Sequence, residues 1–138
     1  MSNESIAIGF VQIAGHPEGF ENQTVRYDKF VELLFKQEDE KSMAMHAALG
    51  VCGEAGELAD AIKKIYVYNK EPDIHNIIEE LGDLRFFIQA VMNHFGISEQ
   101  QVLQYNAAKL SKRYQSLSYS DQAAQNRADK NGPDQSGS

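Results

Sequence analysis

Two pairs of carboxylates, Glu54-Ala-Gly-Glu57 and Glu80-Leu-Gly-Asp83, constrain this chain more than any other feature. Each pair is spaced i, i+3, which puts both acids on one face of a helix. Each also lies within a run of core-type residues. Ala47, Val51, Glu54, Leu58, Ala61 and Ile65 alternate steps of four and three, and Ile77, Leu81, Leu84, Ile88, Val91 and Phe95 repeat the pattern. Such heptad-type seams belong to helices that pack along their length. Glu54 stands in the first seam among apolar neighbours, so its charge demands compensation.

A turn bracketed by Ile65 and Pro72 folds the two helices back on each other about a point near residues 68 and 69. Glu54 then falls level with Asp83, and Glu57 faces Glu80 from g-type positions. Four converging carboxylates repel, or raise one another's affinity for protons. A hard divalent cation, Mg²⁺ foremost and Mn²⁺ as a substitute, takes oxygen ligands and resolves that conflict. The alternative is two solvated acidic faces, the usual fate of an isolated pair of this kind. The seam position and the matched levels favour a metal site formed by Glu54, Glu57, Glu80 and Asp83.

The remaining punctuation gives an all-α chain. Helix 1 is predicted to start with Thr24 as N-cap and to bury Tyr27, Phe30, Val31, Leu34 and Phe35 as one stripe. Helix 2 runs from about Ser42 to Ile65 or Tyr66. It carries glycines at 50, 53 and 56, each costing about 1 kcal/mol against alanine inside a helix. Close packing or close approach of a ligand would each account for them. Pro72 suits the first turn of helix 3, Gly96 its left-handed C-terminal cap, and Ser98 with Gln101 a capping box opening helix 4. Helix 4 carries Val102, Leu103, Leu110, Tyr114 and Leu117. Four amphipathic helices with short links predict a four-helix bundle. Apolar residues off the seams, at Ile62, Ile74, Ile78 and Phe87, predict a homodimer or homotetramer assembled through helix faces.

Residues 1–23 read as an N-terminal arm, apolar from Ser5 to Ile13 as a short strand or an extended segment, and then loop-forming from Gly15 to Gly19. Residues 24–117 form the helical domain. Residues 118–138, rich in Ser, Gln, Asn, Asp and Gly, read as a disordered tail. The 138-residue length fits one domain, and the net charge of −7 excludes a nucleic-acid-binding surface while leaving metal-bound nucleotides open. Cys52, the one cysteine, excludes a disulfide framework and reads as a small packing residue. Neither a membrane span nor a secretory signal is legible, so the cytoplasm is the expected compartment.

Asn106, Lys109 and Arg113 share one face of helix 4, and two cations with an amide on one stripe can clamp phosphate oxygens. His46 lies on the same side of helix 2 as Gly50, Gly53 and Glu57, where it could reach a nucleotide; a packing role is its alternative. No histidine has the Glu-x-x-His spacing of a di-iron bundle, which argues against redox chemistry.

Taken in order, Glu54-Ala-Gly-Glu57-Leu58, Glu80-x-x-Asp83 and Asn106-x-x-Lys109-Leu110-x-x-Arg113-Tyr114 resemble the MazG-like all-α nucleoside triphosphate pyrophosphohydrolases over residues 24–117. The resemblance implies Mg²⁺-dependent hydrolysis of (d)NTPs to monophosphate and pyrophosphate, in dimers or tetramers whose sites include residues of a neighbouring chain. It implies that Glu54, Glu57, Glu80 and Asp83 are metal ligands. Glu54 is the expected general base, because its seam position is the most desolvated and so the easiest place to raise a carboxylate's pKa. Lys109 is the expected phosphate contact and Asn106 a contact to the sugar or the phosphate, with Arg113 either a third or a structural residue. An all-α dUTPase, a phosphoribosyl-ATP pyrophosphatase or a non-catalytic metal-binding helical module are the alternatives.

Overall fold

Alternation of partly covered and exposed residues makes Phe10–Ile13 a strand, β1, with Val11 and Ile13 on its covered face. It pairs antiparallel with β2, Gln23–Arg26, in the register Phe10 to Arg26 and Ile13 to Gln23. A computed structural model of the chain describes residues 9–13 and 23–130. The rest of the N-terminal arm, the expected Gly15–Gly19 loop and the last eight residues of the polar tail lie outside them. The described residues divide into two compact units that part between Gly96 and Ile97.

In the first unit, α1 (Tyr27–Leu34) follows β2 directly. Thr24 does not cap it: that residue sits in β2 opposite Gln12, and the ladder claims its backbone. Arg26 takes the N-cap position without a side-chain cap, its guanidinium going instead to Asp28. Val31 is fully buried and Phe35 nearly so, whereas Leu34, expected in the same stripe, is 60% exposed. An eight-residue helix presents only two turns to the core, and Val31 and Phe35 fill them.

Helix α2, Glu40–Tyr66, begins where Asp39 accepts hydrogen bonds from the Ser42 backbone N–H (3.1 Å) and hydroxyl (2.6 Å). Helix α3, Ile74–Phe95, begins with Asp73 capping Asn76 and ends on Gly96 at φ +63°. Pro72 therefore precedes the cap rather than occupying the first turn. Val31, Phe35, Ala47 and Ala90 form the buried core, with Tyr27, Met43, Phe86, Phe87 and Val91 packed around it. Beside it a polar ladder runs along α3: Arg85 donates to Gln89, Gln89 to Asn93, and Asn93 to the Asp28 carbonyl of α1. That ladder satisfies buried Gln89 and pins α1 to α3.

The second unit holds α4, Glu99–Arg113, and a short α5, Asp121–Asn126. The expected capping box is present, with both Ser98–Gln101 bonds formed. Helix α4 stops at Arg113 rather than continuing through Leu117, which has a positive φ of 54°. No residue of α4 is buried within its unit, and Val102, Leu103 and Leu110 are exposed. The expected disordered tail instead carries α5 and the Arg113–Asp129 ion pair, as far as Lys130. The chain is mostly helical, as predicted, but three of its longer helices belong to the first unit and the fourth to the second. Among the described residues no helix is long and apolar enough to cross a membrane.

Candidate metal centre

The α2 seam holds as predicted: Ala47 and Ala61 are buried, and Val51, Glu54, Leu58 and Ile65 are partly covered. The α3 seam is shifted. A line of covered residues runs through Ile77, Glu80, Leu84, Phe87, Val91 and His94 beside the buried Gln89, Ala90 and Met92, while Leu81, Ile88 and Phe95 are exposed. Gly50 supplies the reason. A β-carbon there would run into the ring of Phe87, so the aromatic occupies the notch that glycine leaves. Seating Phe87 inward turns Ile88, about 100° further round the helix, outward. The same rotation carries Glu80 from an expected flanking position into the seam beside Glu54.

One carboxylate oxygen from each of Glu54, Glu57 and Glu80 lies within 4.8 Å of the other two. Glu54 and Glu80 are half-buried, and Glu57 is exposed. Partial desolvation, then the charges of Glu57, Asp83 and Glu80, push the Glu54 carboxyl above its ordinary range. Desolvation, followed by Glu57, Glu79 and Asp83, raises Glu80 as well, against the opposing charge of Lys64. Asp83 is exposed and stands outside the triad, near enough for its charge to act on Glu54 and Tyr27. Among the described residues no basic side chain forms an ion pair with Glu54, Glu57 or Glu80. Three convergent oxygen donors without a protein cation are a donor set that fits a hard divalent ion such as Mg²⁺.

The other expected site residues are placed as follows. His46 is exposed and packs its ring against Phe35 (5.0 Å between centroids) and Phe87 (5.8 Å), the contacts its packing alternative calls for. Asn106 and Lys109 line one open groove of about 490 Å³ on α4, together with Tyr105. Arg113 is held in a two-pronged pair with Asp129, Nε to Oδ1 at 2.7 Å and Nη2 to Oδ2 at 2.8 Å. Cys52 is exposed, not packed.

Sequence spacing passed over a second set of residues. Gly53 and Gly56 have nothing of the protein within 4 Å of where a β-carbon would stand. They open one wall of a groove of about 410 Å³ that Glu57 and Glu80 share with Asp60, Lys64 and Asn76. Lys64 lies seven residues beyond Glu57 and Asn76 four before Glu80, so same-face spacing was the signal available for both.

The two facing helices thus form a hairpin that brings together an acidic triad with a donor set fitting a divalent cation. Residues 42–118 match the family model of the MazG nucleotide pyrophosphohydrolase domain, a span containing all three triad residues, Asp83 and α4. With more than half its length matched, the chain belongs to the MazG nucleotide pyrophosphohydrolase family. No curated protein and no solved structure matches it.

Proposed function

We propose that this protein is a Mg²⁺-dependent nucleoside triphosphate pyrophosphohydrolase that cleaves (d)NTPs to (d)NMP and pyrophosphate. The observation that carries this reading is the approach of Glu54, Glu57 and Glu80 to within 4.8 Å inside the matched family segment. Glu54, Glu57, Glu80 and Asp83 would hold the metal, with Mn²⁺ able to substitute. A bound Mg²⁺ supplies charge neutralisation on the phosphate oxygens. Glu54 accepts the proton of the attacking water; the water oxygen bonds to the α-phosphorus, the bond to the bridging oxygen breaks, and pyrophosphate leaves. Its raised proton affinity suits that role.

Asn106 and Lys109 are proposed nucleotide contacts. Arg113 has two of its donors engaged by Asp129, which favours the structural alternative for it. The four longer helices are proposed to complete their bundle in a homodimer or homotetramer, and the compartment is proposed to be cytoplasmic.

The test is a panel of the eight common nucleotides with dUTP and oxidised purines, assayed with Mg²⁺ for pyrophosphate. At least one should release it, and Glu54→Gln should abolish release while helicity stays intact. Orthophosphate in place of pyrophosphate, or no product from any substrate, would sink the reading. A panel responding to dUTP alone would favour the dUTPase type. Silence throughout with Mg²⁺-dependent melting would favour a non-catalytic module.

A further inference from the structure

The groove beyond the triad is unequal at its two ends. Lys64, in the last turn of α2, brings a cation to one end, and Glu57 and Glu80 lie nearer the middle, with Gly56 and Gly53 beyond them. Two helical turns separate Glu57 from Lys64, about 10 Å along the axis. A flexible ammonium spans part of that distance, and a diphosphate the remainder. Asp60 lines the wall between Glu57 and Lys64, and Gly53 and Gly56 leave the wall open on the other side of Glu57, where no packing within the described residues requires their missing side chains.

The charge on Lys64 is not consumed by its neighbours. Among the described residues its ion-pair partner is Asp60, at 3.0 Å, and that carboxylate is shared: the other oxygen accepts from Lys63 at 2.5 Å. Lys63 is tethered a second time, with its ammonium over the Tyr68 ring at 5.7 Å from the centroid. Two lysines on one aspartate leave a net positive charge, and of the two it is Lys64 that lines the groove. Its side chain is 58% exposed, so its remaining N–H donors are open to a ligand.

We propose that Lys64 is a phosphate-binding residue: the groove past Glu57 and Glu80 takes the distal end of a metal-bound diphosphate, and Lys64 closes on its terminal oxygens. This rests on the pyrophosphohydrolase reading and extends it to the leaving group. Carboxylates within the groove call for the cation of a metal–diphosphate complex, and an ammonium at its end calls for the anionic tail.

Calorimetric titration of the full chain with inorganic pyrophosphate in Mg²⁺ tests this directly. Lys64→Met should weaken binding about tenfold or more, on the scale of one lost charge-assisted contact. Lys64→Arg should stay within about threefold of the parent, since the charge is kept. Asp60→Asn separates a ligand role from a purely structural ion pair: it should bind pyrophosphate at least as well as the parent, because Lys64 is released. Thermal melts should shift little for any of the three, as exposed pairs contribute little stability. Lys64→Met binding within twofold of the parent, or Asp60→Asn losing as much as Lys64→Met, overturns the assignment of Lys64 alone. A parent protein that takes up no pyrophosphate with Mg²⁺ overturns this inference, while the reading beneath it stands or falls separately on pyrophosphate release from the nucleotide panel.

Discussion

The ring of Phe87 occupies the volume that a side chain at Gly50 would need. Those two residues are equidistant in sequence from the midpoint between Tyr68 and Asn69, as are Glu57 and Glu80, and Glu54 and Asp83. One steric lock therefore sets the level at which the carboxylates meet. It also sets the rotation of α3 that brings Glu80, rather than Leu81, to the seam.

Gly50→Ala should accordingly destabilise the protein even though alanine is the better helix former. Overpacking costs about 1–3 kcal/mol, against a propensity gain of about 1 kcal/mol. Gly53→Ala and Gly56→Ala have no such obstacle and should each stabilise by up to about 1 kcal/mol. Chemical denaturation of the three variants checks the sign of each change. A Gly50→Ala protein as stable as its parent would show that Phe87 does not fix the register.

Acid pairs without a counter-ion should leave a signature in the metal-free protein. Glu54 and Glu80 bind protons more tightly folded than unfolded. Their contribution is fully present below the ordinary glutamate pKa of about 4.3, and is lost as the pH rises through their raised values. Melting temperature should thus fall on that climb in chelator, and added Mg²⁺ should restore it. At a hundredfold excess over Kd the cation contributes about 2.7 kcal/mol. Glu54→Gln should separate the two effects, with a higher melting temperature in chelator and a smaller response to Mg²⁺. A flat pH profile above pH 4 with no metal response would show the triad to be solvated surface.

Much of this was legible because helical period and charge speak in the same places. The α2 seam, the Ser98 capping box and the Gly96 terminus followed from local chemistry that acts within a few residues. The α3 seam misled because that helix is apolar on more than one side. Leu81 and Ile88 continue a heptad as well as Phe87 does, and only the notch at Gly50, on another helix, decides between them. β1 was legible as one of two readings of the apolar arm, a short strand, whereas β2 escaped notice because its four residues draw their stability from pairing with β1. Asp129 had no visible role in a polar tail, since its partner Arg113 lies sixteen residues away. Lys64 carries no motif of its own in the sequence, and only the groove it shares with Glu80 sets it apart from other helix-end lysines.

The Arg113–Asp129 pair should govern the order of the second unit. Asp129 has a side chain only 1% exposed, and hydrogen bonds from Arg113 hold its carboxyl down to about 2. Its stabilisation is complete above the ordinary aspartate pKa of about 3.9 and disappears as the pH falls towards the depressed value. Asp129→Asn and Arg113→Lys should each speed amide exchange from Arg113 through Lys130, the lysine because it cannot reproduce the two-pronged geometry. If both variants exchange as slowly as the parent, the pair is incidental to the fold.

The outward faces of the hairpin make the last prediction. On α3, Ile74, Ile78, Leu81, Ile88 and Phe95 are exposed at helical spacing; on α2, Met45, Leu49, Ile62 and Tyr66 are too. Apolar stripes of this length are rare on surfaces that stay in water. A symmetric assembly would bury them against a second copy, and the proposed dimer or tetramer needs such a face. Sedimentation of the full chain should give a multiple of its own mass at micromolar concentration. Ile78→Glu, placed mid-stripe where nothing in the first unit's core depends on it, should shift that mass downward and leave the helical signal in place. A parent chain sedimenting as a monomer would mean that these stripes are covered within one chain, and Ile78→Glu would then lower the melting temperature instead of the mass.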